Sequence, residues 1–351
     1  MQKIIIIKGL AIFLAIIFFW QLMNLFPLEP KRNLLEKNKF ISNASFQKDL
    51  KSMSHFNQDE EKNILLKPNA PLKQIEEKDT SNKNGIIIKE PIRINKQNQE
   101  IQLMAQAGIV IDLKTEKILW QKNFQEKKNI ASLTKLVSAS VFLETNPDLK
   151  KKIKIIKDDE IGGARLNVNF KEEITIKDLF YSGLIGSKNN AFLALVRSTG
   201  LSKKEFVEKM NNKAQKIGLK NTHFIDPTGL NSDNLSTAYE VAQLAKQIFE
   251  NPEIKKILIT NQYTFWTFSE QKKLREITVK NTNELLDSLL KIKAGKTGFS
   301  NEAGGCLVIQ AENQKGDEII AVLLGNKTKE INFQEMKTLI EWIFKNYQWT
   351  E

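Results

Sequence analysis

Four stretches of the chain read Ser-x-x-Lys, starting at Ser45, Ser132, Ser269 and Ser288. A hydroxyl and an amine three residues apart on a helical turn share one face and can touch. A serine hydroxyl is a poor nucleophile until a neighbouring base takes its proton. Lysine serves as that base once burial lowers its pKa, because desolvation penalises the ammonium form. A helix start also offers backbone N–H groups to a developing oxyanion. Of the four copies, only Ser132-Leu-Thr-Lys135 lies between a strand pair and an apolar helical stretch.

Two further stretches carry polar groups suited to the same chemistry. Ser187-Lys188-Asn189 follows a helical segment and can place a hydroxyl and a carboxamide on one cleft wall. Ser232-Asp233-Asn234 spells a similar motif, but it stands in a polar loop 100 residues after Ser132, whereas Ser187 stands 55 after it. Lys296-Thr297-Gly298 is the one Lys-Thr-Gly in the chain. It also reads Gly-Lys-Thr from Gly295, which invites a phosphate-loop reading. That motif needs a Gly where Leu290 stands and a helix where CLVIQAE reads as a strand, so the nucleotide reading fails.

The elements that must position these residues are legible from periodicity. AGIVIDL and KILWQK read as a strand pair, and ASLTKLVSASVFLE has helical spacing. Ser202…Glu205 and Thr237…Glu240 read as capping boxes opening two more helices. YTFWTF, LREITV, CLVIQAE and EIIAVLLG read as strands, and INFQEMKTLIEWIFKNY closes the chain as an amphipathic helix. Early strands, a helical middle and late strands predict an α/β chain of the α+β type, with an antiparallel sheet flanked by helices.

The chain divides into residues 1–26, 27–101 and 102–351. Residues 9–26 are 18 consecutive uncharged residues, long enough to span a bilayer, with Lys3 and Lys8 before them and no Ala-x-Ala cleavage pattern after. They read as an uncleaved signal anchor. Residues 27–101 are rich in Asn, Lys, Gln and Glu and read as a tether, with a short strand within 86–94. Residues 102–351 form the catalytic domain.

Composition removes several function classes. The single Cys306 excludes an intrachain disulfide and a CxxC site, and two separated histidines, His55 and His223, leave little for zinc or a His-dependent triad. The net charge of +12 is diffuse: 16 basic and 11 acidic residues lie in 1–100, and 37 and 30 in the remainder. No basic helix or finger spacing concentrates it, so no nucleic-acid partner is expected, and a basic surface facing an anionic envelope fits better.

The three motifs in the order SxxK, SxN, KTG resemble those of serine DD-peptidases of the penicillin-binding-protein and β-lactamase superfamily. Within it, AGIVIDLKTEKILWQKN, IGLKNTHFIDPTGLN and GKTGFSNEAGGCLV are similar to low-molecular-mass D-alanyl-D-alanine carboxypeptidases. The resemblance implies a β-lactamase/DD-peptidase-like fold with an all-helical subregion. It implies that Ser132 attacks the D-Ala-D-Ala carbonyl and carries the acyl group, with Lys135 as general base. Ser187 would relay a proton to the leaving amine, and Asn189 would orient the acyl chain. Lys296, Thr297 and Gly298 would hold the substrate, the first two at its terminal carboxylate, and the backbone N–H groups of Ser132 and Phe299 would form the oxyanion hole. It implies no metal or organic cofactor. The partners would be peptidoglycan stem peptides, with β-lactams as covalent inhibitors, and the membrane through the N-terminal helix. A single-pass location with an extracytoplasmic catalytic domain follows.

Several residues depart from that pattern or invite a plainer reading. Relatives usually carry Ser-Gly-Asn-Asp where this chain has Ser187-Lys188-Asn189-Asn190, and Lys188 would add bulk and charge beside the cleft. His223 reads as a packed or hydrogen-bonded residue, Cys306 as a buried inert thiol, and Trp266 as packing with a face that could meet a glycan. The deacylating Glu-x-x-Leu-Asn loop of class A β-lactamases has no counterpart. In Asp226-Pro-Thr-Gly-Leu-Asn231, Pro227 takes the Glu position and Asp226 is one residue out of register, so fast β-lactam hydrolysis is not expected. A DD-endopeptidase acting on cross-links, or an envelope-binding homologue without turnover, are the alternatives.

Overall fold

Glu318–Asn326 is apolar on both faces, and such a strand must be covered from both sides. In the computed structural model, which describes residues 89–95, 100–270 and 272–350, it is the centre of a five-stranded sheet. The strands in chain order are β1 (Ile92–Arg93), β2 (Ala107–Asp112), β3 (Ile118–Lys122), β4 (Lys128–Asn129), β5 (Lys152–Lys154), β6 (Glu173–Thr175), β7 (Leu235–Ser236), β8 (Gln262–Ser269), β9 (Lys272–Lys280), β10 (Lys291–Ser300), β11 (Gly304–Glu312), β12 (Glu318–Asn326) and β13 (Tyr347–Gln348). The helices are α1 (Lys135–Glu144), α2 (Ile176–Ile185), α3 (Asn189–Ser198), α4 (Lys203–Lys216), α5 (Ala238–Ile248), α6 (Pro252–Leu258) and α7 (Lys329–Asn346).

The main sheet has the order β10-β11-β12-β2-β3, antiparallel throughout. Successive side chains of a strand point to opposite faces. Ile319, Ala321 and Leu323 accordingly join Met336, Leu339 and Ile343 of α7 in one apolar cluster. Ile320, Val322 and Leu324 join Leu136 and Val137 of α1 and Val241 of α5 in the other. The remaining helices extend that second layer, with a smaller sheet β5-β6-β8-β9 at its border. This is the antiparallel sheet between helices that the pattern of elements predicts.

Helix starts follow local chemistry. Ser202 and Glu205 form a full capping box at α4, each bonding the other's backbone N–H. At α5 only half of the predicted box exists: Thr237 accepts from the Glu240 N–H, but the Glu240 carboxylate turns to the Asn221 N–H and the Thr222 hydroxyl. A better-buried set of donors wins over the helix's own cap.

Within 86–94 the expected strand is β1, which pairs with β13 through Ile92↔Gln348 and Arg93↔Tyr347. The anchor read at 9–26 and the tether up to residue 88 lie outside the described residues. Among the described residues no helix is long and apolar enough to cross a membrane.

Candidate active site

Ser132 sits in a 3-10 turn, Ala131–Thr134, that runs directly into α1. In a 3-10 turn residues i and i+3 eclipse, which brings the serine and lysine closer than an α-helical face would. Lys135 Nζ lies 2.8 Å from Ser132 Oγ, 2.8 Å from Asn189 Oδ1 and 2.6 Å from the Thr228 carbonyl oxygen. Its side chain is fully buried, with the ring of Phe192 5.9 Å from Nζ. Burial, and next the charge of Lys296, hold its pKa well below the usual lysine value, against a smaller opposing pull from Asp226. Two of its three neighbours are carbonyl oxygens, which only accept. A neutral amine donates its two hydrogens to them and keeps its lone pair for the Ser132 hydroxyl.

Ser187 and Asn189 arrive from the junction of α2 and α3. Ser187 has φ of +54°, an uncommon conformation for a side-chain-bearing residue and one that accumulates at functional sites. The Asn189 backbone N–H donates to the Ala164 carbonyl and its Nδ2 to the Gly162 carbonyl, which leaves Oδ1 for Lys135. Asn190 clamps the same loop from both sides: it accepts from the Leu166 N–H and donates to the Leu166 carbonyl. A carboxamide does both jobs, where a carboxylate could only accept. Lys188, read as added bulk and charge beside the cleft, is not among the residues that line it. It is half-buried, and its aliphatic stem folds back over Gly186 towards Val279, where burial lowers its pKa.

The third motif is on β10. Lys296 is buried and donates to Ser187 Oγ at 3.0 Å and to the Thr297 carbonyl at 2.8 Å. Burial alone lowers its pKa to about 7. Thr297 Oγ1 shares a 2.6 Å hydrogen bond with Thr282 Oγ1. Gly298 lies against the nucleophile turn, where a Cβ would stand 3.0 Å from both the Ser132 nitrogen and the Ile130 carbonyl oxygen. All eight predicted site residues therefore gather in one place. Six of them, Ser132, Ser187, Asn189, Thr297, Gly298 and Phe299, line a cleft of about 250 Å³, and the two lysines lie beneath it.

The cleft also holds residues that no motif announces. Thr228, whose carbonyl touches Lys135, is held by Asp226, which accepts from the N–H groups of Thr228, Gly229 and Asn231. Gly229, at φ +80°, lies so close to the turn that a Cβ would come within 1.8 Å of the Ala131 carbonyl oxygen. The Asp-Pro-Thr-Gly order was a readable turn signal. Glu284, Lys329, Asn332 and Phe333 complete the walls. Asn234 of the Ser232-Asp233-Asn234 stretch is buried and braces the same turns through Thr134 Oγ1 and the Asp226 carbonyl, and it stands outside the cleft. Cys306 is buried at the cleft floor with its thiol pushed up to about 12 by burial, as befits an inert group. His223 is not packed: its side chain is exposed, and its backbone N–H and carbonyl are hydrogen-bonded to Leu235.

Comparison with known proteins agrees with this geometry. The D-alanyl-D-alanine carboxypeptidase family matches residues 94–328. The chain belongs to that family. The D-alanyl-D-alanine carboxypeptidase DacF of Bacillus subtilis is 34% identical over 268 residues, 72% of this chain and 65% of that protein. A D-alanyl-D-alanine endopeptidase of Escherichia coli is 31% identical over 246 residues, 69% of this chain and 78% of that protein. The crystal structure of the Streptomyces K15 DD-transpeptidase superposes with a TM-score of 0.64 at 25% identity, covering 71% of this chain and all of that one. Family and fold make the chain a serine DD-peptidase of the penicillin-binding-protein type, with the α/β architecture of DD-peptidases and β-lactamases.

Proposed function

We infer that the protein is a serine-type D-Ala-D-Ala carboxypeptidase that removes the terminal D-Ala from peptidoglycan stem pentapeptides. The observation that carries this is the buried Lys135 amine 2.8 Å from Ser132 Oγ, with both its other partners accepting. Neutral Lys135 takes the Ser132 proton as Oγ attacks the carbonyl carbon between the two D-alanines. The oxyanion lies between the backbone N–H groups of Ser132 and Phe299. As the C–N bond breaks, the proton that Lys135 took from Ser132 passes through Ser187, which is hydrogen-bonded to Lys296, to the leaving amine, and Lys135 is neutral again. D-Ala departs, and Ser132 holds an ester to the remaining peptide. Water then attacks that ester with Lys135 again as base, releasing the acid and restoring the serine. Lys296 and Thr297 hold the terminal carboxylate.

β-Lactams would acylate the same serine; a solved penicillin-binding protein D2 of Listeria monocytogenes in a cefotaxime-bound form has this fold, with a TM-score of 0.61 at 27% identity, over 70% of this chain and all of that one. The endopeptidase relatives favour a second reading on one specific ground, that a cross-link offers the same site a larger leaving group. The uncharged run at 9–26 supports a membrane-anchored protein with its catalytic domain outside the cytoplasm.

Labelled penicillin followed by mass spectrometry tests the nucleophile: a covalent adduct on Ser132 and none in Ser132→Ala is expected. Release of D-Ala from a pentapeptide by Ser132→Ala would refute the assignment. Digestion of purified peptidoglycan separates the two readings by whether free D-Ala appears or cross-linked dimers give way to uncrosslinked monomers.

A further inference from the structure

The hairpin of β8 and β9 turns one face into the core and the other to water. Phe265, Thr267 and Val279 are buried, whereas Thr264, Trp266, Leu274, Glu276 and Thr278 are exposed. Trp266 stands 38% exposed opposite Glu276, with Lys273 Nζ 5.3 Å from its ring centroid. Beside it the hydroxyls of Thr264 and Thr278 are hydrogen-bonded to each other across the strands at 2.8 Å. A sheet face with one indole, a carboxylate and paired hydroxyls has the chemistry of a sugar-binding surface. A pyranose packs its C–H face on an aromatic ring and offers its hydroxyls to such polar groups.

We propose that this outer face is a platform for the N-acetylated glycan strand whose stem peptide enters the cleft. The inference rests on the reading of peptidoglycan as substrate. β9 leads straight to the site: Thr282, two residues beyond its end, touches Thr297. Thr282 follows Glu276 by six positions, about 20 Å of extended chain. The four residues of a stem before the scissile bond reach about 14 Å when extended, and the ether link to the sugar lengthens that reach. The spacing therefore lets one glycan strand occupy the platform while its peptide occupies the cleft.

The test is co-sedimentation of the full-length chain, in detergent, with insoluble glycan stripped of its peptides, paired with kinetics on a soluble pentapeptide. Trp266→Ala is expected to weaken glycan binding about ten-fold, the scale of one aromatic contact. It should raise KM on intact peptidoglycan and leave kcat and KM on the soluble pentapeptide unchanged. Thr264→Glu, a surface change that keeps the indole, should weaken glycan binding as well and decides the matter if Trp266→Ala does not fold. Glycan binding unchanged in Thr264→Glu and in a folded Trp266→Ala would overturn the platform. So would binding that Lys273→Gln or about 0.5 M salt abolishes while Trp266→Ala retains it, because that pattern marks a purely ionic surface. If the wild-type protein leaves the pentapeptide intact, it is the carboxypeptidase reading that fails, whatever the glycan result.

Discussion

Two buried lysines with different tasks set how the site responds to pH. Lys135 acts as a base only when neutral, so lowering pH through its depressed pKa removes activity. Lys296 is a cation only below about 7, so raising pH through that value removes the partner of the substrate carboxylate. We predict a bell-shaped kcat/KM for a D-Ala-D-Ala peptide, with an alkaline limb near 7 that is absent in Lys296→Gln. An unchanged alkaline limb in that variant would assign it to another group. The same residue bears on stability. A lysine whose pKa is lower in the folded than in the unfolded state penalises folding fully below its folded pKa, where its charge is buried, and the penalty fades as pH rises from about 7 towards 10.5. Lys296→Met is therefore expected to be inactive and to gain more thermal stability at pH 6 than at pH 9, read by calorimetry at both.

At the scale of elements, the site depends on three segments meeting at the nucleophile turn. Gly229 and Gly298 are the close approaches that permit it. Gly229→Ala would drive a methyl into the Ala131 carbonyl and also strain φ, whereas Gly200, at φ +77° with open space around it, would suffer only the backbone cost of about 1 kcal/mol. Chemical denaturation should show Gly229→Ala losing at least about 3 kcal/mol, a value in the range of severe core disruptions, and penicillin acylation should fall with it. Equal losses for the two glycines would mean that the turn is not tightly seated. Asp226→Asn keeps the shape of the loop but loses a charged acceptor of three backbone donors. We expect about 1–3 kcal/mol of lost stability and a fall in kcat larger than any rise in KM, because the Thr228 carbonyl that orients Lys135 would loosen.

For the whole molecule, the main sheet is covered by α7 on one side and by the helical layer on the other, and the cleft opens where the two meet the end of β10. β1 pairs with β13, so the described chain closes on itself near its two ends. Residues 89–351 alone should hydrolyse a pentapeptide within about two-fold of the full chain, since all the cleft residues among the described ones lie within them. The full chain, and not the shortened one, should sediment with membranes. Sedimentation of both would point to attachment through the folded domain.

The sequence by itself determined the alternation of the strands, most helix starts and the three motifs, because period, caps and short catalytic spacings are local. With two separated histidines in the chain it also pointed to lysine as the base, and the structure sets Lys135 Nζ 2.8 Å from Ser132 Oγ. What only the tertiary structure decided was everything that depends on separation in sequence. The Thr228 carbonyl reaches Lys135 across 93 residues, and Lys296 reaches Ser187 across 109. Backbone carbonyls carry no residue signature, so Thr228 was invisible as a partner. Glu240 looked like a cap and became a brace for another loop. Lys188 reads as a bulky charge beside the cleft, and its stem lies folded over Gly186. In each case the side chain chose among partners that the fold alone brought within reach.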